Sequence, residues 1–157
     1  MTTIRGATTL TLGAGTDANI TGDNANITAT TDANISGVNA NITATTNANI
    51  TASGLINISG GFVYSIQNIS GPGAINLTDT VTFITTTGTD AYTLADGVEG
   101  QLKIIIMKVD GGNATITPDN LVGFTAVRFT DVDNSVMFLY GSTGWNILAL
   151  QQATRIS

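Results

Sequence analysis

Residues 16–30 read TDANITGDNANITAT, and residues 31–45 read TDANISGVNANITAT. The two copies differ only at Thr21/Ser36 and Asp23/Val38, and a diverged third copy, TNANITASGLINISG, occupies 46–60. Tandem identity at a fixed short period marks a stacked or wound architecture rather than an ordinary globule. Each copy holds two half-units. Ile20, Ile27, Ile35, Ile42, Ile50 and Ile58 recur at spacings of 7 or 8, and Ala18, Ala25, Ala33, Ala40 and Ala48 precede the first five by two positions. Side chains two apart share one face of a strand, so Ala and Ile line one face and the intervening Asn residues the other. Thr, Ser, Gly, Asp and Asn fill the remainder and suit tight turns. A helix is excluded: Ile, Thr and Asn are poor helix formers, and no apolar stripe runs at i, i+3, i+4.

Six isoleucines are a thin apolar supply against the backbone entropy of about 45 ordered residues. A lone ribbon would also leave its Ala/Ile face wet. Two arrangements cure this: a single-chain β-solenoid with Ile stacked inside, or a β-helix or β-spiral wound from three chains around an Ile/Ala axis. The small-residue face favours the wound oligomer, with Ile20, Ile27, Ile35, Ile42, Ile50 and Ile58 as its axial core; three-fold winding is the form expected of a fibre, and the residues alone do not separate three chains from two. The Asn series offers side-chain amide ladders in such a stack.

Outward from the repeat, three regions emerge. Residues 1–15 hold MTTIRGATTLTLGAG, an alternating segment with Ile4, Leu10 and Leu12, expected to anchor the chain on a partner or to cap its own shaft. Residues 16–78 form the expected shaft, whose last part carries larger residues (Phe62, Tyr64, Ile66, Ile69, Ile75, Leu77) in the same rhythm. From 79 to 157 the repeat gives way to strand candidates at 80–86, 91–95, 101–109, 113–117, 123–130, 135–140 and 144–150. Asp110-Gly111-Gly112 reads as a hairpin turn, and Asp131–Asn134 and Gly141–Gly144 as further turns. Seven short strands predict an antiparallel β-sandwich or jelly-roll-like domain. Leu102–Met107 reads as a strand buried on both faces. The whole chain is therefore expected to be all-β.

Composition narrows function. The 157 residues carry a net charge of −6, with Arg5, Lys103, Lys108, Arg128 and Arg155 scattered. No clustered basic patch is present for nucleic acid. With no Cys and no His, disulfides, His-based triads and most transition-metal sites fall away. No apolar run is long enough to span a membrane, and the N-terminus lacks a signal-peptide core. Synthesis in the cytoplasm followed by assembly is the expected course, from a chain that reads as complete from Met1. Nine N-x-S/T matches, at Asn19 through Asn113, are by-products of the NIT/NIS repeat rather than glycosylation sites.

Chemistry has few places to sit. Asp131, Asp133 and Asn134 hold carboxylates close together, but the Gly and distal Glu of an EF-hand loop are missing, so a turn is expected. Asp96 and Glu99 flank Gly97 in a solvated loop, and Asp17 and Asp32 are turn residues of the repeat. Tyr92, Tyr140 and Trp145 would suit a glycan platform, but Trp145 and Ile147 alternate in WNIL as core residues do. No catalytic pair, metal set or cofactor motif stands out, and no enzyme is expected.

The segments Thr93–Gln101 (TLADGVEGQ), Asp110–Gly112, Thr117–Leu121 (TPDNL), Asp131–Val136 (DVDNSV) and Gly144–Ile147 (GWNI) together resemble the C-terminal domain of structural proteins from tailed bacteriophages, notably marine and cyanobacterial ones. The resemblance covers the terminal stretch from Ala91 to Leu150. It implies a homotrimeric virion component: a capsid decoration or head-fibre protein bound to the major capsid protein or another virion protein. The alternative it allows is a tail fibre or spike tip that binds a host glycan. It carries over no catalytic residue. Eight or so strands stacked at about 4.8 Å would make a shaft on the order of 40 Å, suited to a short capsid protrusion.

Overall fold

A computed structural model of the protein describes residues 50–157. Its compact unit runs from Asn57 to Ser157. The described residues contain ten strands and no helix: β1 Ile66–Ser70, β2 Gly73–Ile75, β3 Val81–Thr85, β4 Asp90–Leu94, β5 Leu102–Val109, β6 Ala114–Pro118, β7 Ala126–Phe129, β8 Ser135–Gly141, β9 Gly144–Gln151 and β10 Thr154–Ile156. All seven strands expected after residue 79 are present within a few residues of their expected bounds.

The strands form two five-stranded sheets, ordered β1-β3-β5-β8-β9 and β10-β7-β6-β4-β2. Matched end for end, these orders describe a flattened coil of five rungs, each contributing one strand to each sheet. The first three rungs (β1/β2, β3/β4, β5/β6) stack in parallel. Then the winding reverses. β7 pairs antiparallel to β6 and β8 antiparallel to β5. The fifth rung, β9/β10, pairs antiparallel to the fourth. The sandwich is therefore mixed, and the expectation of an antiparallel or jelly-roll-like domain holds only for its second half. The reason lies in the connections. Asp110-Gly111-Gly112 is not a hairpin turn but a corner that carries the chain from β5 in one sheet to β6 in the other. Gly141–Gly144 does close a hairpin, between β8 and β9. Pairing also carries the two sheets back to Ile66, within the stretch read as the end of the shaft.

Period-2 burial explains the packing. Thr82 and Ile84 of β3, Lys103, Ile105 and Met107 of β5, and Val136 and Phe138 of β8 point inward and are buried. From the facing sheet come Ile75, Tyr92, Leu94, Ala114, Ile116, Val127 and Phe129, which join them in one core cluster with Trp145 of β9. Interdigitated inner faces of this kind supply the bulk of a sandwich's stability.

Corners at one end of the coil stack on each other. Thr86 Oγ1 accepts from Gly111 N at 2.7 Å, and Thr86 N donates to Val109 O at 3.0 Å. Gly112 has φ +145, and a Cβ there would lie 2.6 Å from the carbonyl carbon of Gly88. Only glycine meets both conditions, so the DGG motif is explained by coil-on-coil contact at a corner.

Candidate functional site

Three segments, Thr93–Gln101, Thr117–Leu121 and Gly144–Ile147, gather around one side chain. Trp145, fully buried, stacks edge-on to Tyr140 at 5.1 Å between centroids and tilts against Phe138 at 6.1 Å. Its indole N–H donates to Ala95 O at 3.0 Å. Its backbone N–H donates to Asn120 O at 2.6 Å. Asn120 in turn donates to Asp96 Oδ2 at 2.7 Å. A Cβ on Gly97 would meet the Trp145 ring at 2.9 Å. The LADG, TPDNL and GWNI segments thus build one tryptophan-centred corner, a structural device with no opening for a ligand. Tyr92 is buried as well, so the aromatic trio is not a surface platform.

Of the carboxylate candidates, Asp131 and Asp133 resolve into a turn, and Asp17 and Asp32 lie outside the described residues. Asp131 Oδ1 accepts from Val132 N at 2.8 Å, and Asn134 Oδ1 accepts from Thr130 N at 2.9 Å. Asp133 sits at φ 64, a left-handed turn position that Asp tolerates. Among the described residues no three Asp or Glu side chains gather as a metal would require. Glu99 is exposed.

One polar cluster escaped the sequence reading. At the opposite edge of the core, Gln67 Oε1 accepts from Thr82 Oγ1 at 3.0 Å and from Asn76 N at 3.0 Å. Asn76 Nδ2 donates to Asp79 Oδ2 at 2.7 Å. Lys103, on the inner face of β5, donates from Nζ to Asp79 O at 2.5 Å. Burial pulls the Lys103 ammonium down to about 8, against the attraction of Asp79. Asp79 is held below the usual carboxylate range by hydrogen bonds from Asn76 and Ser65, with Lys103 adding to them. The cluster satisfies polar groups where the first coil meets the second.

A surface feature remains. One outward row of the sheet built on β5 is apolar across its whole width, while the row beside it places Phe83 and Ile106 between Asn68 and Ser135. Register places Ile66, Val81, Ile104, Met137 and Ala149 in one row over all five strands. Phe83 and Ile106 are aligned in the next row, with Lys108 Nζ 4.7 Å from the Phe83 ring centroid. Leu102 pairs with Leu139 on the other side. The opposite sheet shows the contrast: its outward residues include Ala91, Thr93, Thr115, Thr117 and Arg128. A sheet meant for water on one face alternates apolar with polar, and the row from Ile66 to Ala149 departs from that pattern. The register shift between Met137 and Phe138 leaves Leu148 unpaired and 54% exposed. Beside it opens a cavity of about 210 Å³, lined by Ile104, Ser135, Met137, Ala149, Leu150 and Gln151. That is smaller than most small-molecule sites and sized for a protruding side chain.

Of the expected axial residues, Ile50 and Ile58 are 69% and 50% exposed. Ile20, Ile27, Ile35 and Ile42, with the anchor candidates Ile4, Leu10 and Leu12, lie outside the described residues. No protein-family model matches the chain, and no curated protein matches it in sequence.

Proposed function

We propose that the protein is a structural subunit of a phage virion, assembled as a homotrimer, which decorates or cements the capsid or forms a short head fibre on it. The observation that carries this reading is the apolar row across the outer face of the β5 sheet on a unit built of stacked coils. Such a face needs a protein partner, and the tandem repeat makes further copies of the same chain the natural one. The repeats supply the β shaft, wound from three chains or coiled within one. The segment around Ile4, Leu10 and Leu12 attaches it to the major capsid protein or a neighbouring virion protein. The resemblance of the tryptophan-centred corner segments to phage structural domains gives the virion its place in the proposal, and the acidic net charge fits a partner other than nucleic acid.

Two measurements test it. Light scattering should give a native mass three times that of the 16.1 kDa chain. Antibody labelling of intact virions should decorate heads. Label on tail tips would favour the alternative, a tail fibre or spike that binds a host glycan. A monomeric mass with unlabelled virions would overturn both.

A further inference from the structure

The compact unit begins with a segment that none of its own residues cover. Between Asn57 and Ser65, ahead of β1, Ile58 is 50% exposed, Phe62 66%, Val63 100% and Tyr64 43%. The Phe62 and Tyr64 rings stack on each other, with centroids 6.2 Å apart and planes 13° from parallel. A stacked aromatic pair flanking a fully exposed valine is costly in water and has no role within the unit. Among the described residues the unit therefore displays an exposed apolar arm and, on its β5 sheet, a half-buried apolar row.

Resting on the oligomeric reading above, we infer that the Phe62–Tyr64 arm of one copy docks on the outer face of the β5 sheet of the next. It would cover the row from Ile66 to Ala149 and seat a side chain in the cavity beside Met137. Three arguments fix the occupant as a second copy. The first is reach. Val63 stands three residues before Ile66, a span of at most about 10 Å. Met137 lies three strand spacings from Ile66 along the row, about 14 Å. Phe62, one residue further out, spans about 14 Å at full extension, but a segment lying on a sheet stands about 10 Å above it, so the arm cannot lie over Met137 on its own sheet. The second is chemistry. Phe62, Val63 and Tyr64 carry no charge, and neither does the row they would cover, so no ion is desolvated on docking. The third is area. At 150–250 Å² per aromatic residue and the observed exposures, the arm offers on the order of 400 Å², and the face yields about as much. In a closed ring each copy gives one arm and receives another. Each contact buries about 800 Å² counted over both sides, about half a standard interface, and every copy makes two. Arm-to-face contact is heterologous, and a heterologous contact closes as a ring when its rotation allows.

The absence of cysteine from the chain makes the test direct. Chains carrying Val63→Cys and chains carrying Met137→Cys, one of them tagged, are unfolded together, refolded and mildly oxidised. The expected product is a disulfide between unlike chains, running in a denaturing gel at twice the 16.1 kDa chain mass, with each variant alone giving little. In the otherwise native chain, Val63→Asp should shift the native mass from that of the trimer toward that of the single chain. Because Val63 is fully exposed, that substitution leaves the fold of its own unit intact, which circular dichroism would verify. If the native chain is trimeric but only like-with-like disulfides form and Val63→Asp leaves the mass unchanged, arm docking is wrong while the oligomeric reading stands. If the native chain is itself monomeric, both fall.

Discussion

Replacing Lys103 by Met tests the most unusual element of the core. Alternation along β5 puts Lys103 on the inner face with Ile105 and Met107, and its side chain is buried. Its ammonium donates to Asp79 O. Burial lowers its proton affinity from 10.5 to about 8. Between those values the unfolded chain keeps a proton that the folded chain has released, so stability rises with pH across that window. At about 1.4 kcal/mol per tenfold change in proton affinity, halved because the ammonium reaches the rim beside Asp79 and is partly screened, the gain is about 1.5–2 kcal/mol. Tyr92 works the other way at higher pH. Burial, with Asp90 nearby, raises its phenol to about 12. Above about pH 10 the folded chain keeps the phenolic proton that the unfolded chain loses, and stability falls. The native chain should therefore be most stable near pH 10. Lys103→Met should be more stable than the native chain by about 1–2 kcal/mol at pH 7, since a well-packed apolar replacement for a buried charge is often neutral or favourable. Its stability should be flat between pH 8 and 10. Urea unfolding followed by fluorescence reads this cleanly, because Trp145 is the chain's one tryptophan. A variant that is less stable than the native chain at pH 7 and still gains stability between pH 8 and 10 would refute the argument. The bond to Asp79 would then outweigh the desolvation of the ammonium.

Further outcomes follow from other positions. The Tyr92 hydroxyl is buried and finds no hydrogen-bond partner among the described residues, so Tyr92→Phe should raise stability by about 1 kcal/mol and reduce the fall above pH 10, leaving the part due to Tyr140, whose phenol is also raised by burial and by Asp96; a loss in urea midpoint would show that the hydroxyl is engaged. Gly144 combines φ +139 with a Cβ position against the Asn120 carbonyl, so Gly144→Ala should cost about 1–3 kcal/mol, read as a lowered urea midpoint; an unchanged midpoint would mean that the corner is loosely packed. Trp145→Ala empties the centre of that corner and should cost about 3–5 kcal/mol, measured by circular dichroism on heating. In the repeat, Ile27→Asp with Ile42→Asp should abolish assembly in sedimentation, and normal assembly would remove these residues from any shared axis.

The strands were legible because their alternation is local, and so was the core placement of Trp145 from WNIL. Less local properties were hidden. Whether a glycine turn closes a hairpin or rounds a corner depends on which sheet receives the next strand. Asp110-Gly111-Gly112 looks the same either way, since its glycines answer to Gly88 and Thr86 on the coil before. The face of LKIIIMKV was unreadable for a related reason. Both alternating sets are apolar apart from a lysine in each, and the buried lysine is accommodated only because Asp79 O lies within its reach. The last strand, TRI, has one apolar residue and is held as a strand by pairing with β7. The apolar outer row emerges only when register aligns Ile66, Val81, Ile104, Met137 and Ala149, residues drawn from five separate strands.

The reversal after β6 also sets a timetable for synthesis. Parallel rungs join residues far apart in sequence, as Val81 joins Ile104, and such closures are slow to form. The β8–β9 hairpin, closed at Gly141 and Gly144, is the most local pairing in the unit and forms fastest. It is also translated after every strand of the parallel coils. The earlier coils therefore leave the ribosome before the hairpin that can nucleate them.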